Sequence, residues 1–394
     1  MRLCRLRQSS RSSRCRSALT IFIFSRNWKT NEWAFETLGR RALFTFDAEQ
    51  AHGLSITGLK TGIVTCRTPE DPALSVKVAG LKFPNPLGMA AGYDKNAEVP
   101  DALLKLGFGF AEVGTLTPAR KAAIRARAFS RLVDDKAVIN RLGFNNEGHE
   151  AAFKRLSRRA GKSGIVGVNI GANKDAEDRI ADYVAGIRRF YQLARYFTVN
   201  ISSPNTPGLR NLQAREALHE LLSRVLEARD EEGNMCTLKR PVFLKIAPDL
   251  TDEELDDIAA EADAQKLDGI IVSNTTLSRS GLKNPENSNE TGGLSGAPLF
   301  ERSTVVLARM RERVGPDMPL IGVGGIDSAE TALAKIKAGA DLVQLYTGLI
   351  YRGPGLPGEI LRGLSTAIKH EGVSSIAELR DRDTKEWAAR KLIS

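Results

Sequence analysis

Short apolar segments recur along most of the chain, and each ends in small or polar residues. They are rich in aliphatic, β-branched and aromatic side chains, which is typical of buried strands that lead into loops. The segments lie at 86–92, 110–115, 165–171, 196–199, 242–247, 269–274, 320–325 and 342–348. This recurrence predicts eight strands.

Amphipathic helices are predicted between most of these strands. The clearest covers 251–266, where Thr251 and an acidic first turn precede an apolar stripe at helical spacing. Similar patterns cover 216–228, 300–314 and 328–338. Alternating strands and helices predict an α/β fold with a parallel sheet. Eight strands favour a closed (β/α)8 TIM barrel with its site at the carboxyl ends of the strands. A doubly wound open sheet is less favoured, because no Gly-x-Gly-x-x-Gly motif opens the first helix.

The amino-terminal residues differ from the rest of the chain in charge. Residues 1–31 contain seven arginines, one lysine and no acidic residue, whereas the whole chain has a net charge of +10. Without this segment the net charge is about +2, so the barrel itself is not expected to bind polyanions such as nucleic acid. The segment resembles a mitochondrial transit peptide, but a disordered extension, or an upstream start that the working protein lacks, is favoured.

A short amphipathic helical segment is predicted before the barrel. Helical spacing within 33–46 aligns one apolar stripe opposite Arg40 and Arg41, and the stripe consists of Ala34, Phe35, Leu38, Ala42, Leu43 and Phe46. Asp47 is expected to cap a second helix ending near residue 58. Such a pair can dock on a core or lie on an anionic membrane. The predicted regions are the extension at 1–31, the helix pair at 32–62, the barrel at 63–373 and a carboxyl-terminal tail at 374–394.

Cysteine and histidine usage argues against a metal centre. The four cysteines (Cys4, Cys15, Cys66 and Cys236) show no metal-binding spacing, and the four histidines form no cluster in sequence. Unpaired cysteines of this kind fit a reducing compartment. The chain contains no run of 18 or more apolar residues, so the sequence predicts no membrane-spanning helix.

Seven motifs, in order, carry a specific resemblance. They are AGYDK at 91–95, NRLGFN at 140–145, NISSPNTPG at 200–208, KIAPD at 245–249, SNTT at 273–276, TGGLSG at 291–296 and GVGGID at 322–327. From about residue 37 to 372 the chain resembles the dihydroorotate dehydrogenase family. Two features resemble the class 2, quinone-dependent branch of this family. One is the helix pair before the barrel, and the other is Ser203, at a position where the soluble members carry cysteine.

The resemblance implies oxidation of (S)-dihydroorotate to orotate in de novo pyrimidine biosynthesis. It also implies one FMN per chain as hydride acceptor and a membrane quinone as final acceptor. The substrate loses a proton from C5 and a hydride from C6, so a base and a flavin are needed on opposite sides. By resemblance Ser203 is the catalytic base. A serine hydroxyl is a weak base, so hydrogen bonds, a water path and a dry pocket must assist it.

The resemblance also assigns substrate contacts. A cation, amides and a hydroxyl suit a carboxylate and a cyclic urea, and the implied residues are Lys95, Asn140, Arg141, Leu142, Gly143, Phe144, Asn200, Asn205, Asn274 and Thr275. Each asparagine alone could be a turn or cap residue. Their joint position at predicted strand ends favours a binding site.

Flavin contacts follow in the same way. Lys245 is suited to stabilise negative charge on the N1/O2 edge of the ring, and the loops with Gly324-Gly325 and Tyr346-Thr347-Gly348 are expected to bind the phosphate. The implied flavin-binding residues are Ala91, Gly92, Tyr93, Asp94, Lys95, Thr115, Asn169, Asn200, Lys245, Ser273, Gly296, Gly325, Tyr346 and Thr347.

The quinone is expected to enter past the helix pair. By resemblance His52, Arg131 and Tyr346 are its polar contacts, and Phe35, Leu38 and Leu43 line the tunnel or face lipid. The resemblance implies a peripheral protein at the cytoplasmic face of a bacterial inner membrane. If residues 1–31 are a transit peptide, the expected location is instead the mitochondrial inner membrane.

One stretch departs from the family pattern. The family usually has a proline-rich loop with Gln, Gly and Asn before Arg131, whereas this chain has ARKAAIRARAFS at 119–130. Equal length with unrelated residues suggests a locally shifted reading frame or divergence, and it puts the loop geometry in doubt.

Three alternatives compete with the quinone-linked enzyme. A fumarate- or NAD-linked member of the family is disfavoured by Ser203 and the helix pair. An FMN barrel that reduces uridine in tRNA would use a cysteine acid, which the contexts of Cys66 and Cys236 do not match. A non-enzymatic membrane scaffold would leave Lys95, Ser203 and Lys245 unexplained.

Overall fold

The structure is a computed structural model that describes residues 40–62, 64–66, 68–121, 128–284 and 289–392. The extension at 1–31 and most of the predicted helix at 33–46 lie outside the described residues, as does 122–127 of the divergent loop. The chain forms two compact units, Met1–Phe46 and Asp47–Ser394. Of the first unit, the structure describes helix α1 (Arg40–Thr45).

The second unit contains all the described strands. In chain order they are β1 (Val76–Val78), β2 (Leu81–Phe83), β3 (Leu87–Met89), β4 (Phe110–Leu116), β5 (Phe129–Leu132), β6 (Ala137–Asn140), β7 (Ile165–Ile170), β8 (Tyr196–Asn200), β9 (Val242–Ile246), β10 (Gly269–Val272), β11 (Gly293–Gly296), β12 (Leu320–Val323) and β13 (Leu342–Leu345).

Eight parallel strands close into a barrel in the order β3-β4-β7-β8-β9-β10-β12-β13. Every residue of β8, β9 and β10 is buried. Both faces of a parallel barrel strand are covered, which explains the continuous apolar runs in the sequence. The (β/α)8 TIM barrel prediction is confirmed, and the open sheet is excluded.

The helices of this unit are α2 (Ala48–Lys60), α3 (Pro100–Lys105), α4 (His149–Arg159), α5 (Arg179–Phe190), α6 (Arg215–Cys236), α7 (Asp252–Ala264), α8 (Phe300–Val314), α9 (Ala329–Lys337), α10 (Thr347–Arg352), α11 (Leu356–His370) and α12 (Thr384–Ala388). Thr251 and Ser328 form capping boxes at α7 and α9. Asp47 caps α2 as predicted, accepting hydrogen bonds from two backbone N–H groups. Helix α6 continues well past the predicted end at residue 228, through a polar last turn.

Two smaller sheets were not predicted. Strands β1 and β2 form an antiparallel pair, and β11, β6 and β5 form a three-stranded antiparallel sheet in that order. The register pairs Gly293 with Asn140, and Asn140 with Phe129. These strands are short, and β11 is far from β6 in sequence, so no local pattern indicates the pairing. The three-stranded sheet matters because it supplies part of the wall of the site.

The segment after residue 373 also folds onto the barrel unit. It contains a 3-10 turn at Ile376–Leu379 and helix α12. The Trp387 ring meets the Phe300 ring edge-on, with 5.9 Å between centroids. This contact joins the carboxyl-terminal residues to α8.

Candidate active site

Two adjoining cavities open where the barrel strands end. The first, the substrate-side cavity, is lined by Ala91, Gly92, Lys95, Thr115, Phe129, Asn140, Leu142, Gly143, Phe144, Asn145, Asn200, Ser203, Asn205, Lys245, Asn274, Thr275 and Tyr346. The second, the glycine-side cavity, adds among others Ser273, Gly296, Gly324, Gly325, Thr347 and Gly348. The structure therefore brings together most of the residues predicted from the motifs.

A continuous hydrogen-bond network fixes the amides at the barrel mouth. Asn169 Nδ2 donates to Glu112 Oε1 (2.7 Å), and Thr115 Oγ1 donates to Asn169 Oδ1 (2.6 Å). Asn200 Nδ2 donates to Thr115 Oγ1 (3.0 Å), and Ser202 Oγ donates to Asn200 Oδ1 (3.0 Å). These bonds set which amide atom faces inward, so the side chains are oriented before a ligand binds.

The network continues to the loop after β10. Asn274 Nδ2 donates to Ser202 Oγ at 2.9 Å, and its Oδ1 accepts from the Thr275 backbone N–H at 2.8 Å. On the opposite wall, Asn205 Nδ2 donates to the Asn140 carbonyl at 3.0 Å and to its Oδ1 at 3.3 Å. Asn140 is therefore held by the loop that carries Ser203.

Ser203 lies in the loop after β8 and is 6% exposed. Its Oγ accepts a hydrogen bond from the Asn205 backbone N–H at 3.3 Å. Three contacts of Arg210 hold the neighbouring loops. They are Nε to the Ser202 carbonyl (3.1 Å), Nη1 to Asp249 Oδ2 (3.1 Å) and Nη2 to the Thr275 carbonyl (3.2 Å).

Lys245 projects from β9 beside Asn200, with which it is in register across β8 and β9. It is buried, lines both cavities, and has no hydrogen-bond or ion-pair partner within the described part of the chain. Burial lowers the pKa of Lys245, and the charge of Glu112 opposes that shift. A buried cation without a contact partner suits an anionic or electron-rich ligand in the cavity.

Lys95 supplies a second cation to the substrate-side cavity. Burial lowers its pKa to about 8, while the charge of Glu49 acts in the opposite direction. No carboxylate of the described residues forms an ion pair with its Nζ. A lysine in this state can bind a carboxylate ligand below about pH 8.

The glycine-side cavity presents backbone donors. Gly324 and Gly325 have φ values of +115° and +73°, which only glycine adopts easily. Neither N–H group donates to a carbonyl or a side chain in the described residues. A Cβ on Gly325 would lie 2.4 Å from Phe300 Cβ, so the loop packs tightly against the start of α8.

Four of the predicted substrate and flavin contacts do not line either cavity. Asp94 is fully buried and accepts hydrogen bonds from the Glu98 and Val99 N–H groups, and burial raises its pKa to about 6. Tyr93 donates to Ser55 Oγ at 3.1 Å, Arg141 bonds Thr291, and Asn169 acts within the network. These contacts place them as supports of neighbouring site residues.

Two of the three predicted quinone contacts, His52 and Tyr346, lie near each other. The His52 ring of α2 lies 5.2 Å from the Tyr93 ring and 6.5 Å from the Tyr346 ring, measured between centroids. Burial, with a contribution from the charge of Lys95, lowers the pKa of His52 to about 4. Helix α2 packs against β5, which carries Arg131, but Arg131 lines neither cavity. The rings of His52 and Tyr346 therefore lie close together.

Several residues of the site had no signal of their own in the sequence. Glu112 anchors the network from a strand interior, and Ser202 bridges Asn200 and Asn274. Arg210 follows the Ser203 motif, where charge pattern alone does not distinguish it from a surface residue. Thr206 is within that motif, and its buried hydroxyl has no partner in the described residues.

Comparisons with known proteins identify the family of this chain. The sequence pattern of the dihydroorotate dehydrogenase family matches residues 73–368. A Brucella ovis protein named dihydroorotate dehydrogenase (quinone) is 97% identical over 360 residues, covering 91% of this chain and 99% of that protein. The Brucella abortus strain S19 counterpart is 96% identical over the same length and with the same coverage. The crystal structure of Eimeria tenella DHODH in complex with ferulenol has a TM-score of 0.82 at 37% identity, covering 86% of this chain and 96% of that one. This chain belongs to the dihydroorotate dehydrogenase family.

Proposed function

We propose that this protein oxidises (S)-dihydroorotate to orotate in de novo pyrimidine biosynthesis, with FMN as hydride acceptor and a quinone as final acceptor. The observation that carries the proposal is the meeting of Lys95, Ser203, Lys245 and five asparagines in the lining of one cavity. The Brucella relatives, whose name includes quinone, support the acceptor. FMN, when bound, supplies the hydride acceptor.

The residues present fit FMN. Lys245 is a buried cation with no hydrogen-bond or ion-pair partner among the described residues, as expected for a group that faces the electron-rich edge of a flavin ring. The backbone N–H groups of Gly324 and Gly325, which donate to nothing in the described part of the chain, suit a phosphate. The buried Tyr346 hydroxyl has no partner in the described residues and lines both cavities. These features support a ring between the cavities and a phosphate at the glycine loop.

The substrate would be held by charge and amides. Lys95 binds the carboxylate, and the oriented amides of Asn140, Asn200, Asn205 and Asn274 bind the cyclic urea and carboxylate oxygens. Ser203 Oγ takes the proton from C5. The loop after β8 keeps Ser203 nearly buried, which excludes water from the reacting atoms.

Quinone access is proposed along α2. His52 is neutral at physiological pH, because burial lowers its pKa to about 4, so it can accept or donate a hydrogen bond without a charge. Leu54 on the same helix is 44% exposed. No helix among the described residues is long and apolar enough to cross a bilayer. We propose attachment to the membrane surface through the amino-terminal helices, at the cytoplasmic face of a bacterial inner membrane.

A comparison of electron acceptors tests the proposed function. Purified protein with dihydroorotate as donor is expected to reduce ubiquinone or menaquinone analogues and to form one orotate per quinone. Fumarate and NAD should support turnover at least tenfold more slowly. Faster turnover with either would assign the chain to another branch of the family. Stabilisation by tRNA, without orotate formation, would favour the uridine-reducing alternative.

Two half-reactions test the quinone route. His52→Ala should leave the bleaching of flavin by dihydroorotate unchanged and slow reoxidation of the flavin by quinone. Thr57→Ala is the matched control, because Thr57 lies exposed on the same helix and its hydroxyl bonds only the Gly53 carbonyl. Unchanged reoxidation in His52→Ala would remove α2 from the route.

Binding to vesicles tests membrane attachment. The full chain should sediment with vesicles that contain anionic lipid, and a chain that begins at Asp47 should not. Equal sedimentation of the two would show that the segment before Asp47 does not attach the protein to the membrane.

A further inference from the structure

Lys335, on α9, is a buried lysine that the proposed reaction does not use. It is fully buried, and its Nζ donates to Ser303 Oγ at 2.8 Å and to Thr304 Oγ1 at 2.9 Å. The ammonium also lies 5.2 Å from the centre of the Phe300 ring. No carboxylate of the described residues forms an ion pair with it. Burial lowers the pKa of Lys335 well below its ordinary value.

A buried cation without a counter-ion is costly, and an apolar side chain of similar length would avoid that cost. Lys335 therefore needs a reason beyond packing. Its surroundings suggest a reason, because the two hydroxyls that Lys335 contacts have different hydrogen-bond acceptors. Thr304 Oγ1 donates to the Phe300 carbonyl at 2.6 Å, within its own helix. Ser303 Oγ is within reach of the Gly324 carbonyl at 3.2 Å as well as the Phe300 carbonyl at 3.1 Å.

Ser303 thus links Lys335 to the glycine loop. The Gly324 carbonyl and the Gly325 N–H belong to one peptide unit, and in a trans peptide they point in opposite directions. A carbonyl held by Ser303 directs the Gly325 N–H away from α8. This N–H donates to nothing else in the described residues, and Gly325 lines the glycine-side cavity. A hydrogen bond to a carbonyl also polarises the N–H of the same peptide, which makes it a stronger donor.

The loop cannot easily rearrange around this contact. A Cβ on Gly324 would lie 2.7 Å from Ser303 Oγ, and one on Gly322 would lie 3.2 Å from Lys335 Cδ. The lysine stem, Ser303 and the loop are therefore packed together. The Lys335 amine is one hydroxyl away from the Gly324 carbonyl and lines neither cavity.

We propose that Lys335 is a positioning residue for a phosphate-bearing flavin, acting through Ser303 on the Gly324–Gly325 peptide. In this arrangement the Lys335 amine, through Ser303, strengthens a backbone donor that a phosphate-bearing ligand uses and that the same ring system without a phosphate does not use. The inference rests on the proposed function, since it takes FMN as the ligand. It adds a determinant of cofactor selectivity that lies behind the site.

Flavin selectivity measures this effect without using turnover. The full-length chain, stripped of flavin, is titrated with FMN and with riboflavin, and quenching of flavin fluorescence gives both dissociation constants. The ratio of the riboflavin constant to the FMN constant is the readout. Lys335→Met should lower this ratio by about 10- to 100-fold, the range for a hydrogen bond to a charged group. Riboflavin affinity itself should change little.

Three further variants test whether Lys335 acts through Ser303 or affects flavin binding in a general way. Ser303→Ala should lower the ratio as well, and the double variant should fall no further than the lower single variant, because both act on one peptide. Thr304→Val is the matched control. It removes the other hydroxyl that contacts Lys335 but touches no part of the loop, so the ratio should stay within twofold of the parent.

Thermal unfolding of the flavin-free protein completes the test. Methionine fills the stem volume, and both hydroxyls keep a carbonyl acceptor, so Lys335→Met should have an unchanged or higher Tm. If the parent does not prefer FMN, the proposed cofactor is wrong. If the parent prefers FMN and Lys335→Met keeps the full ratio, only the role of Lys335 is wrong. A lower Tm with equal losses for both flavins would assign Lys335 to folding, and additive losses would overturn the route through Ser303.

Discussion

At the residue scale, the site combines the buried Lys245 and the half-buried Lys95 with a neutral hydroxyl. Lys95 and Lys245 line the same cavity as Ser203, and neither lysine has an ion-pair partner in the described residues. A ligand that brings negative charge would remove the cost of burying them. Binding energy and charge stabilisation therefore come from the lysines, whereas proton transfer is left to a weak base in a dry position.

Replacing the base tests this division. Ser203→Ala should keep bound flavin but slow the bleaching of flavin by dihydroorotate by about 10²–10⁴-fold, the usual cost of removing a general base. Stopped-flow absorbance of the flavin measures it. Ser203→Cys should recover part of the rate as the pH rises towards about 8.5, where an ordinary thiol ionises. Near-normal bleaching in Ser203→Ala would show that another group takes the proton.

The pH dependence of substrate capture reports on Lys95. Its pKa is lowered to about 8, so the side chain is a cation below that pH and neutral above it. The substrate carboxylate requires the cation, and kcat/KM should therefore fall above about pH 8, approaching tenfold per pH unit for one proton. In Lys95→Met, kcat/KM should be low at all pH values and should not decline further above pH 8. The same decline in the variant would assign this titration to a different group.

At the element scale, the loops after β8, β9 and β10 act as one unit because Arg210 joins them. Its guanidinium contacts the Ser202 carbonyl, Asp249 and the Thr275 carbonyl. Asp249 also accepts from the Leu277 N–H at 3.0 Å and from the Thr276 hydroxyl. The position of Ser203 thus depends on a contact made by its neighbour, Ser202.

Breaking this contact should misplace the base. Arg210→Met should lower kcat/KM for dihydroorotate by about 10- to 100-fold, because small displacements of reacting groups are costly. It should destabilise the fold by about 1–3 kcal/mol through unpaired acceptors. Arg210→Lys should not restore activity, since a lysine lacks the planar fork. Arg215→Met is the control, because Arg215 is mostly exposed at the start of α6. Equal effects in both variants would argue against the role of Arg210.

At the scale of the whole molecule, the two cavities join the barrel mouth to the small sheet of β5, β6 and β11. Phe129, Val138 and Ser295 of that sheet line the glycine-side cavity with residues from β12 and β13. Ser295 Oγ lies 2.9 Å from Thr347 Oγ1, which links the sheet to α10. A flavin in this position would contact elements that are far apart in the chain.

Flavin removal should therefore lower thermal stability. A ligand at 100 times its Kd that binds only the folded state contributes about 2.7 kcal/mol. At about 2–4 °C per kcal/mol, the Tm should fall by roughly 5–10 °C when flavin is removed. Differential scanning calorimetry over a range of FMN concentrations measures it, and the Tm should rise with concentration. A Tm independent of FMN would place the flavin outside the folded core of the molecule.

The sequence by itself determined the barrel, and the resemblance of its motifs to a known family supplied the residues expected at its mouth. Buried parallel strands need continuous apolar runs, and their loops need glycine, proline and asparagine, so each strand and its end could be found locally. The helix starts at Thr251 and Ser328 could also be predicted from local sequence, because a capping side chain bonds backbone groups only a few residues away. Parallel strands share one carboxyl edge, and this explains why Lys95, Ser203 and Lys245 could be grouped before their contacts were known.

Only the tertiary structure decided what these residues contact. The small sheet pairs segments about 150 residues apart, which no periodicity reveals. Asp94 and Lys95 are adjacent in one motif, yet one supports backbone N–H groups and the other lines the cavity. Lys335 lies on a helix with an ordinary amphipathic pattern and is nevertheless fully buried. Burial, ion pairing and pKa depend on neighbours brought together by folding, so the sequence could name the groups and only packing could assign their states.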